Sequence, residues 1–108
     1  MISPELFADV DIRVGTVVEA QPLTRARKPA YCLIIDFGPM GFRQSSAQIT
    51  DFYRPEQLVG RQVIAVLNLP VKLIAGFRSE CLVLGVMTQE GVVLLQPERP
   101  VPNGERIG

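Results

Sequence analysis

The chain has 108 residues, of which 47% are hydrophobic and 20% are charged, and its 11 basic and 11 acidic residues give a formal net charge of zero. This length and apolar content predict a single folded domain over residues 1–108 and exclude a disordered chain. Because the sequence has no histidine and only two cysteines, it excludes histidine-dependent nucleophilic catalysis and a four-ligand zinc site, and we expect no metal and no cofactor.

The N-terminal residues, MISPELFADVD, are acidic and lack the basic and apolar regions of a signal peptide. No apolar run in the sequence reaches the roughly 18 residues that a membrane span requires. We therefore expect a cytoplasmic protein without membrane insertion, whose Cys32 and Cys81 remain free thiols in a reducing compartment.

The first predicted element is a short helix in SPELFA, because a serine cap, a proline at the first position and an acid in the first turn are typical of a helix start. The next segment, DIRVGTVVEAQ, alternates apolar and other residues and predicts a half-buried strand, in which Gly15 indicates a bend or bulge. Residues 22–29 form a predicted loop with Arg25, Arg27 and Lys28 at its tip.

Further strands are predicted after this loop from apolar and β-branched runs separated by turn residues. They are expected over 31–38, from 42, and over 61–68, 81–87 and 92–97. A helical turn at 55–58 separates the third strand from the fourth, and a Pro-rich C-terminal extension follows the last strand.

This element order predicts an all-β fold, namely a five-stranded OB-fold barrel with a short N-terminal helix, a small helix between strands 3 and 4, and a C-terminal extension. In OB-folds the loop between strands 1 and 2, the loop between strands 4 and 5, and the face of strands 2 and 3 form the usual ligand site. Here the two loops are 22–29 and 68–80, so we expect them to converge on one side.

The connection at 68–80, NLPVKLIAGFRSE, is the most informative stretch because it is far more apolar than an ordinary loop. Its apolar and cationic side chains include Leu73, Ile74, Phe77, Lys72 and Arg78. Such a mixture predicts a contact surface for a partner chain, a peptide or a nucleic acid.

Two ligand classes fit these residues. An extended apolar polypeptide would contact the apolar side chains, while polar groups would bind its carbonyls or acidic flanks; the expected residues are Arg43, Ser45, Asn68, Leu73, Ile74, Phe77 and Arg78. A tRNA would be held by its phosphates; the expected residues are Arg13, Arg25, Arg27, Lys28, Arg43, Lys72 and Arg78. A domain that only dimerises a larger assembly is a third reading, and an enzyme is the least favoured.

Several predicted strands are apolar on both faces, whereas a lone small barrel can bury only its inner face. These stretches are 31–37, 62–67 and 82–86. Additional cover is therefore predicted from the C-terminal extension or a second subunit, and we expect a homodimer.

Three stretches, DIRVGTVVEA, VLNLPVKLIAGFRSE and LLQPERPVPNGERIG, resemble the tRNA-binding domain that is appended to some methionyl-tRNA synthetases and that also occurs as free-standing dimers. Within that family, RQSSAQIT, IAGFRSECLVLG and VVLLQPERPVPNGERIG are most similar to the CsaA protein-export chaperones. The resemblance extends from about Asp9 to Gly108.

The resemblance implies a noncatalytic OB-fold homodimer that binds exported preproteins, or peptide segments of them, and contacts the SecA export motor. The tRNA-binding relatives usually carry a Ser-x-Gly-Met pattern after the fourth strand, where this chain has Ser79-Glu80-Cys81-Leu82. They also tend towards Ser-Gly where this chain has Ser45-Ser46-Ala47. These departures favour the chaperone branch, with structure-specific tRNA binding as the alternative.

Overall fold

The computed structural model describes residues 1–108, and its regular structure consists of nine strands, two short helices and one 3-10 turn. In chain order these are α1 (Pro4–Ala8), β1 (Ile12–Pro22), β2 (Tyr31–Asp36), the 3-10 turn (Gly38–Met40), β3 (Phe42–Ala47), α2 (Pro55–Leu58), β4 (Gln62–Val66), β5 (Lys72–Ile74), β6 (Phe77–Ser79), β7 (Leu82–Val83), β8 (Gly85–Met87) and β9 (Val92–Leu94). Neither helix has the length and apolar character needed to cross a membrane.

Five strands form one antiparallel sheet in the order β3-β2-β1-β4-β7, which curves into a nearly closed barrel. The remaining strands form two separate hairpins, β5–β6 and β8–β9. The prediction of an all-β, five-stranded barrel with a short N-terminal helix and a small helix between strands 3 and 4 is confirmed. The N-terminal helix begins as its sequence indicates, because the Ser3 side chain accepts a hydrogen bond from the Leu6 N–H.

Alternation along β2 decides which side chains fill the barrel. Leu33, Ile35 and, just after the strand, Phe37 are fully buried, whereas Cys32 and Ile34 are half-buried on the opposite face. The same core includes Val17, Tyr31, Ile49, Leu58, Val63, Ala65, Leu67, Cys81 and Leu94. Burying an aliphatic or aromatic side chain contributes roughly 1.5–3 kcal/mol, so this core is the main source of stability.

The predicted irregularity in β1 exists, but its expected position at Gly15 is wrong. The pairing register with β2 shifts between Val17 and Glu19, which leaves Val17 in the core and places Val18 on the surface. Gly15 is required for a different reason, namely lack of space for a side chain. A Cβ at this position would lie 2.6 Å from Ile35 Cγ2. The glycine therefore allows the crowded approach of β1 to the side chains of β2.

The stretch at 68–80 is not a simple loop, as the sequence suggested, because most of it forms the β5–β6 hairpin. Ala75 and Gly76 make the two-residue turn, with φ of 52° and 80° respectively. Two consecutive residues in the left-handed region are typical of the tight hairpin turn whose twist matches that of its strands. A backbone ladder therefore holds the apolar and cationic side chains of this stretch in a fixed alternation.

The predicted strand over 81–87 is also interrupted, because the chain changes pairing partner at Leu84. The Leu84 N–H donates to the Ile64 carbonyl at 2.8 Å, whereas the Leu84 carbonyl accepts from the Leu95 N–H at 3.3 Å. Before this residue β7 pairs with β4, and after it β8 pairs with β9. The barrel wall therefore continues only briefly past Cys81.

The C-terminal extension lies along β1 and pairs with it. The Val14 N–H donates to the Glu105 carbonyl at 3.0 Å, and the Gly104 N–H donates to the Val14 carbonyl at 2.7 Å. A third bond, from the Ile107 N–H to the Ile12 carbonyl, has a length of 2.8 Å. The extension thus continues the backbone pairing of β1, and the predicted cover for the strands that are apolar on both faces stays a prediction.

Candidate binding groove

Three adjoining cavities share Ser46 and Ile74, and together we call them the groove. The basic end, of about 470 Å³, is lined by Arg25, Ala26, Arg27, Lys28, Ala30, Ser46, Gln48, Ile74 and Ala75. The middle, of about 300 Å³, is lined by Ser46, Leu69, Pro70, Lys72, Ile74, Ser79, Cys81 and Leu82. The apolar end, of about 350 Å³, is lined by Ser46, Ala47, Gln48, Ile49, Ile74, Leu82, Val83, Leu84, Gly85, Met87 and Val92. The two loop regions selected from the sequence, 22–29 and 68–80, therefore do meet on one side of the barrel.

The groove forms because the barrel closes beside one half of β3 only. The Glu80 N–H donates to the Gln44 carbonyl at 2.8 Å, and the Gln44 N–H donates to the Glu80 carboxylate at 3.0 Å. The Ser46 N–H donates to the Ser79 hydroxyl at 3.0 Å. Beyond Ser46, no hydrogen bond joins β3 to β7. The apolar end of the groove lies in this gap between β3 and β7, which we call the seam.

The β5–β6 hairpin divides the predicted apolar residues between two faces. Cross-strand partners point to the same side, and Ile74 pairs with Phe77 while Leu73 pairs with Arg78. Ile74 faces the groove with Phe77 half-buried beside it, whereas Leu73 is 70% exposed on the opposite face. The structure therefore brings Ile74 to the groove and directs Leu73 and Arg78 away from it.

Two residues expected to bind a polypeptide have their polar groups committed within the chain. Ser45 is fully buried, and its hydroxyl donates to the Cys81 carbonyl at 3.1 Å, so the prediction that it contacts a ligand is wrong. The Asn68 side-chain carbonyl accepts from the Asp11 N–H at 2.9 Å, while its amide nitrogen donates to the Asp9 carbonyl at 2.7 Å. Asn68 therefore fixes the connection between α1 and β1 and does not line the groove.

The predicted arginines are also separated by the fold. Arg13 is held by the Asp11 carboxylate at 2.6 Å and by the Gly104 carbonyl at 3.0 Å, so it fixes the C-terminal extension. Arg43 is half-buried and its guanidinium reaches the Met40 carbonyl at 3.5 Å. Neither side chain lines the groove, which leaves the loop cations and Lys72 as its positive charges.

The groove is electropositive. Arg25, Arg27, Lys28 and Lys72 line it, whereas no aspartate or glutamate does. None of these four cations forms an ion pair or a side-chain hydrogen bond within the chain, and the three ion pairs in the structure lie elsewhere. Their charge is therefore available to an anionic group of a ligand.

The groove contains no activated thiol. Burial raises the pKa of Cys81 to about 11, against a weaker opposing effect of its hydrogen bond with Ser45. Burial also raises the pKa of Cys32. Since the thiolate is the nucleophilic form, the cysteine in the groove wall stays protonated and unreactive at neutral pH.

The residues predicted to bind a ligand do not include Ser46, Gln48 and Met87, which line the groove wall. Ser46 and Gln48 lie there because Ser45 faces inward and neighbouring strand residues point to opposite faces. Met87 projects from β8 and is 88% exposed. The two-sided apolar pattern of 82–86 was the available signal, but the sequence did not show where β7 would end.

A family model described as "Putative tRNA binding domain" matches residues 12–106. Among curated proteins, the methionine–tRNA ligase of Methanothrix thermoacetophila is 42% identical over 98 residues, which cover 91% of this chain and 14% of the ligase. The methionine–tRNA ligase of Listeria monocytogenes is 35% identical over 107 residues, or 98% of this chain and 16% of the ligase. The chain thus spans only 14–16% of the length of the curated relatives it matches.

Solved structures match over the whole chain. The chaperone CsaA from Bacillus anthracis is 52% identical with a TM-score of 0.95, and the match covers 100% of this chain and 99% of that one. The CsaA chaperone protein from Picrophilus torridus is 47% identical with a TM-score of 0.94, and both chains are covered completely. The MetRS related protein from Pyrococcus horikoshii is 31% identical with a TM-score of 0.89, covering 100% of this chain and 98% of that one.

Proposed function

The chain belongs to the tRNA-binding domain family, as a CsaA-type member, and from this premise we propose that it is a noncatalytic chaperone that binds unfolded or exported polypeptides in the groove. The observation that carries this proposal is the apolar end of the groove, where eight of the eleven lining residues are hydrophobic. A surface made only for phosphates needs no such wall, since phosphates are held by cations and hydrogen-bond donors. The 52% and 47% identities with two CsaA chaperones support the same choice.

In the proposed complex, an extended segment places its apolar side chains against Ile74, Leu84 and Met87. Lys72 and the loop cations bind backbone carbonyls or acidic side chains of the segment. Phe77 lies beside Ile74 on the neighbouring hairpin strand, while Leu73 and Arg78 lie on the outer face of the hairpin, away from the groove. Affinity is expected to be about micromolar, because a groove that accepts many sequences lacks optimised anchors.

The second candidate is structure-specific tRNA binding, which the unpaired cations of the basic end favour. Arg25, Arg27 and Lys28 are exposed on one loop and have no partner within the chain. Phosphates would occupy the same positions that acidic side chains take in the first proposal. The match to methionine–tRNA ligases gives this candidate independent support.

A side-by-side titration with a permanently unfolded polypeptide and with tRNA, at 50 and 200 mM salt, tests the proposal. For the chaperone we expect micromolar polypeptide binding that weakens less than about threefold between these salt concentrations, because apolar contacts are little screened. A tRNA complex with four phosphate contacts would weaken roughly 50- to 150-fold. Absence of polypeptide binding, together with tight and strongly salt-dependent tRNA binding, would replace the chaperone with the second candidate.

We also propose that the protein is a homodimer. Every residue of α1 is solvent-exposed in the single chain, including Leu6 and Phe7, and Ile2 just before it is exposed as well. Sedimentation equilibrium at micromolar concentration should give about twice the chain mass of 11.9 kDa, and a mass of one chain would contradict the dimer.

A cytoplasmic location and contact with the SecA export motor belong to the proposed chaperone function. Co-sedimentation of the protein with SecA in the presence of a client would test that contact.

A further inference from the structure

The groove is chemically different at its two ends. Its basic end carries three cations on the loop between β1 and β2, whereas its apolar end has no charged side chain. The two ends are continuous, because both cavities include Ser46, Gln48 and Ile74. An extended ligand that follows the groove therefore meets three cations at the basic end and Lys72 at the middle cavity, but no charge at the apolar end.

The cations of the basic end lie beside apolar surface. Ala26, Ala30 and Ala75 line the same cavity as Arg25, Arg27 and Lys28. A carboxylate placed there would be partly removed from water, and arginine can bind it through two parallel hydrogen bonds. Since the chain itself offers no acid in this cavity, the ligand is the only source of the matching charge.

The apolar end of the groove is unfavourable for a carboxylate. A carboxylate at the seam would lie against Ile49, Leu84 and Met87 and would have no cation to pair with. Burying an unpaired charge is costly, so a segment with acids at both ends gains nothing from the second one. The asymmetry therefore discriminates between sequences and between orientations.

We propose that the groove selects extended segments that carry an acidic residue on one side of an apolar stretch, with this carboxylate held by Arg25, Arg27 and Lys28. The proposal rests on polypeptide binding as the function and adds the sequence feature that the clients share. Phosphates of tRNA could occupy the basic end, but they leave the adjoining apolar wall uncovered. For this reason the polypeptide is the occupant that matches both ends.

Synthetic peptides of eight residues are long enough to cross the molecule. The chain measures 28 Å across its shortest dimension, and an extended strand advances about 3.3 Å per residue, so roughly eight residues cross it. Four peptides with blocked termini share one apolar stretch and carry an acidic residue at the N-terminal end, the C-terminal end, both ends or neither. A fifth peptide has no acidic side chain but has a free C-terminal carboxylate. It shows whether the basic end binds an acidic side chain or the carboxylate at the end of a chain.

We expect one of the two singly acidic peptides to bind about tenfold more tightly than the neutral peptide, and the other to bind no better than the neutral one. The preferred end reports the direction of the chain in the groove. Arg27→Glu should abolish this preference, measured as the ratio of the affinities of the acidic and the neutral peptides for the same variant. Arg99→Glu is the matched control, because Arg99 is exposed, pairs with Glu98 and lies outside the groove, and it should keep the preference.

Equal affinities of all five peptides for the unmodified protein would overturn the proposed selectivity and leave the chaperone function standing. A preference that survives Arg27→Glu would overturn the assignment to the basic end. If no peptide binds while short RNA fragments do, both this inference and the proposed function fail, and the nucleic-acid candidate replaces them.

Discussion

Replacing Gly15 with valine is expected to lower the free energy of unfolding by about 3 kcal/mol or more, at the upper limit of what overpacking usually costs. A Cβ at this position would lie 2.6 Å from Ile35 Cγ2 and 2.7 Å from the Phe37 ring. Both side chains are fully buried in the barrel, so they have no room to retreat. The substitution must therefore push β1 away from Ile35 and Phe37 inside the barrel.

Chemical denaturation of the variant and the unmodified protein measures this change, and the melting temperature should fall by about 10 °C or more. Gly108→Val is the matched control, since it adds the same atoms where no heavy atom lies within 4 Å. If valine at position 15 prevents folding altogether, Gly15→Ala and Gly108→Ala provide the same comparison. Equal stability of the two variants would show that β1 and β2 are not as closely packed as described.

Replacing Ile74 with serine is expected to weaken polypeptide binding at least tenfold without unfolding the chain. Ile74 lines all three cavities of the groove, so a ligand in any of them loses apolar contact. Full burial of such a side chain contributes roughly 1.5–3 kcal/mol, or a factor of about 10 to 150 in the dissociation constant. Because Ile74 is already half-buried in the free chain, the ligand adds the lower part of this range. Isothermal titration with an unfolded polypeptide measures the loss directly.

The neighbouring residue provides the control for this experiment. Leu73 precedes Ile74 in β5, is equally apolar and points to the opposite face of the hairpin. Leu73→Ser should therefore change polypeptide affinity less than about twofold. An equal loss in both variants would mean that the hairpin binds clients through its outer face, or that its overall apolar character matters more than the groove.

Most of the barrel could be predicted because its strands and turns leave local signals. The strand predicted from the alternation in DIRVGTVVEAQ, the helix start at Ser3 and the small helix at α2 all appear where the sequence indicates. The β5–β6 hairpin was missed because its turn, Ala75-Gly76, is not one of the strongest hairpin signals, and alanine is rarely found with a positive φ. Local patterns also cannot show that β7 ends after two residues, since that depends on the change of pairing partner at Leu84, after which β8 pairs with β9.

The site was only partly predictable. The sequence shows which residues belong to a loop, but it does not show the direction in which each side chain points. The fold topology was sufficient to bring the loop cations and the 68–80 stretch together. Strand register was needed to see that Ser45 faces the core and Ser46 faces the groove. The same information separates Ile74 from Leu73, a distinction that composition alone cannot make.

The central claim is that the groove around Ser46 and Ile74 holds unfolded polypeptide, and amide chemical-shift mapping by NMR tests it most directly. Addition of a permanently unfolded polypeptide should shift the amides of Ser46, Gln48, Ile74 and Met87 most strongly. A separate polar cavity of about 650 Å³, lined in part by Arg61, Gln96 and Arg99, should remain unaffected. Shifts centred on that polar cavity, with none around Ser46 and Ile74, would contradict the account.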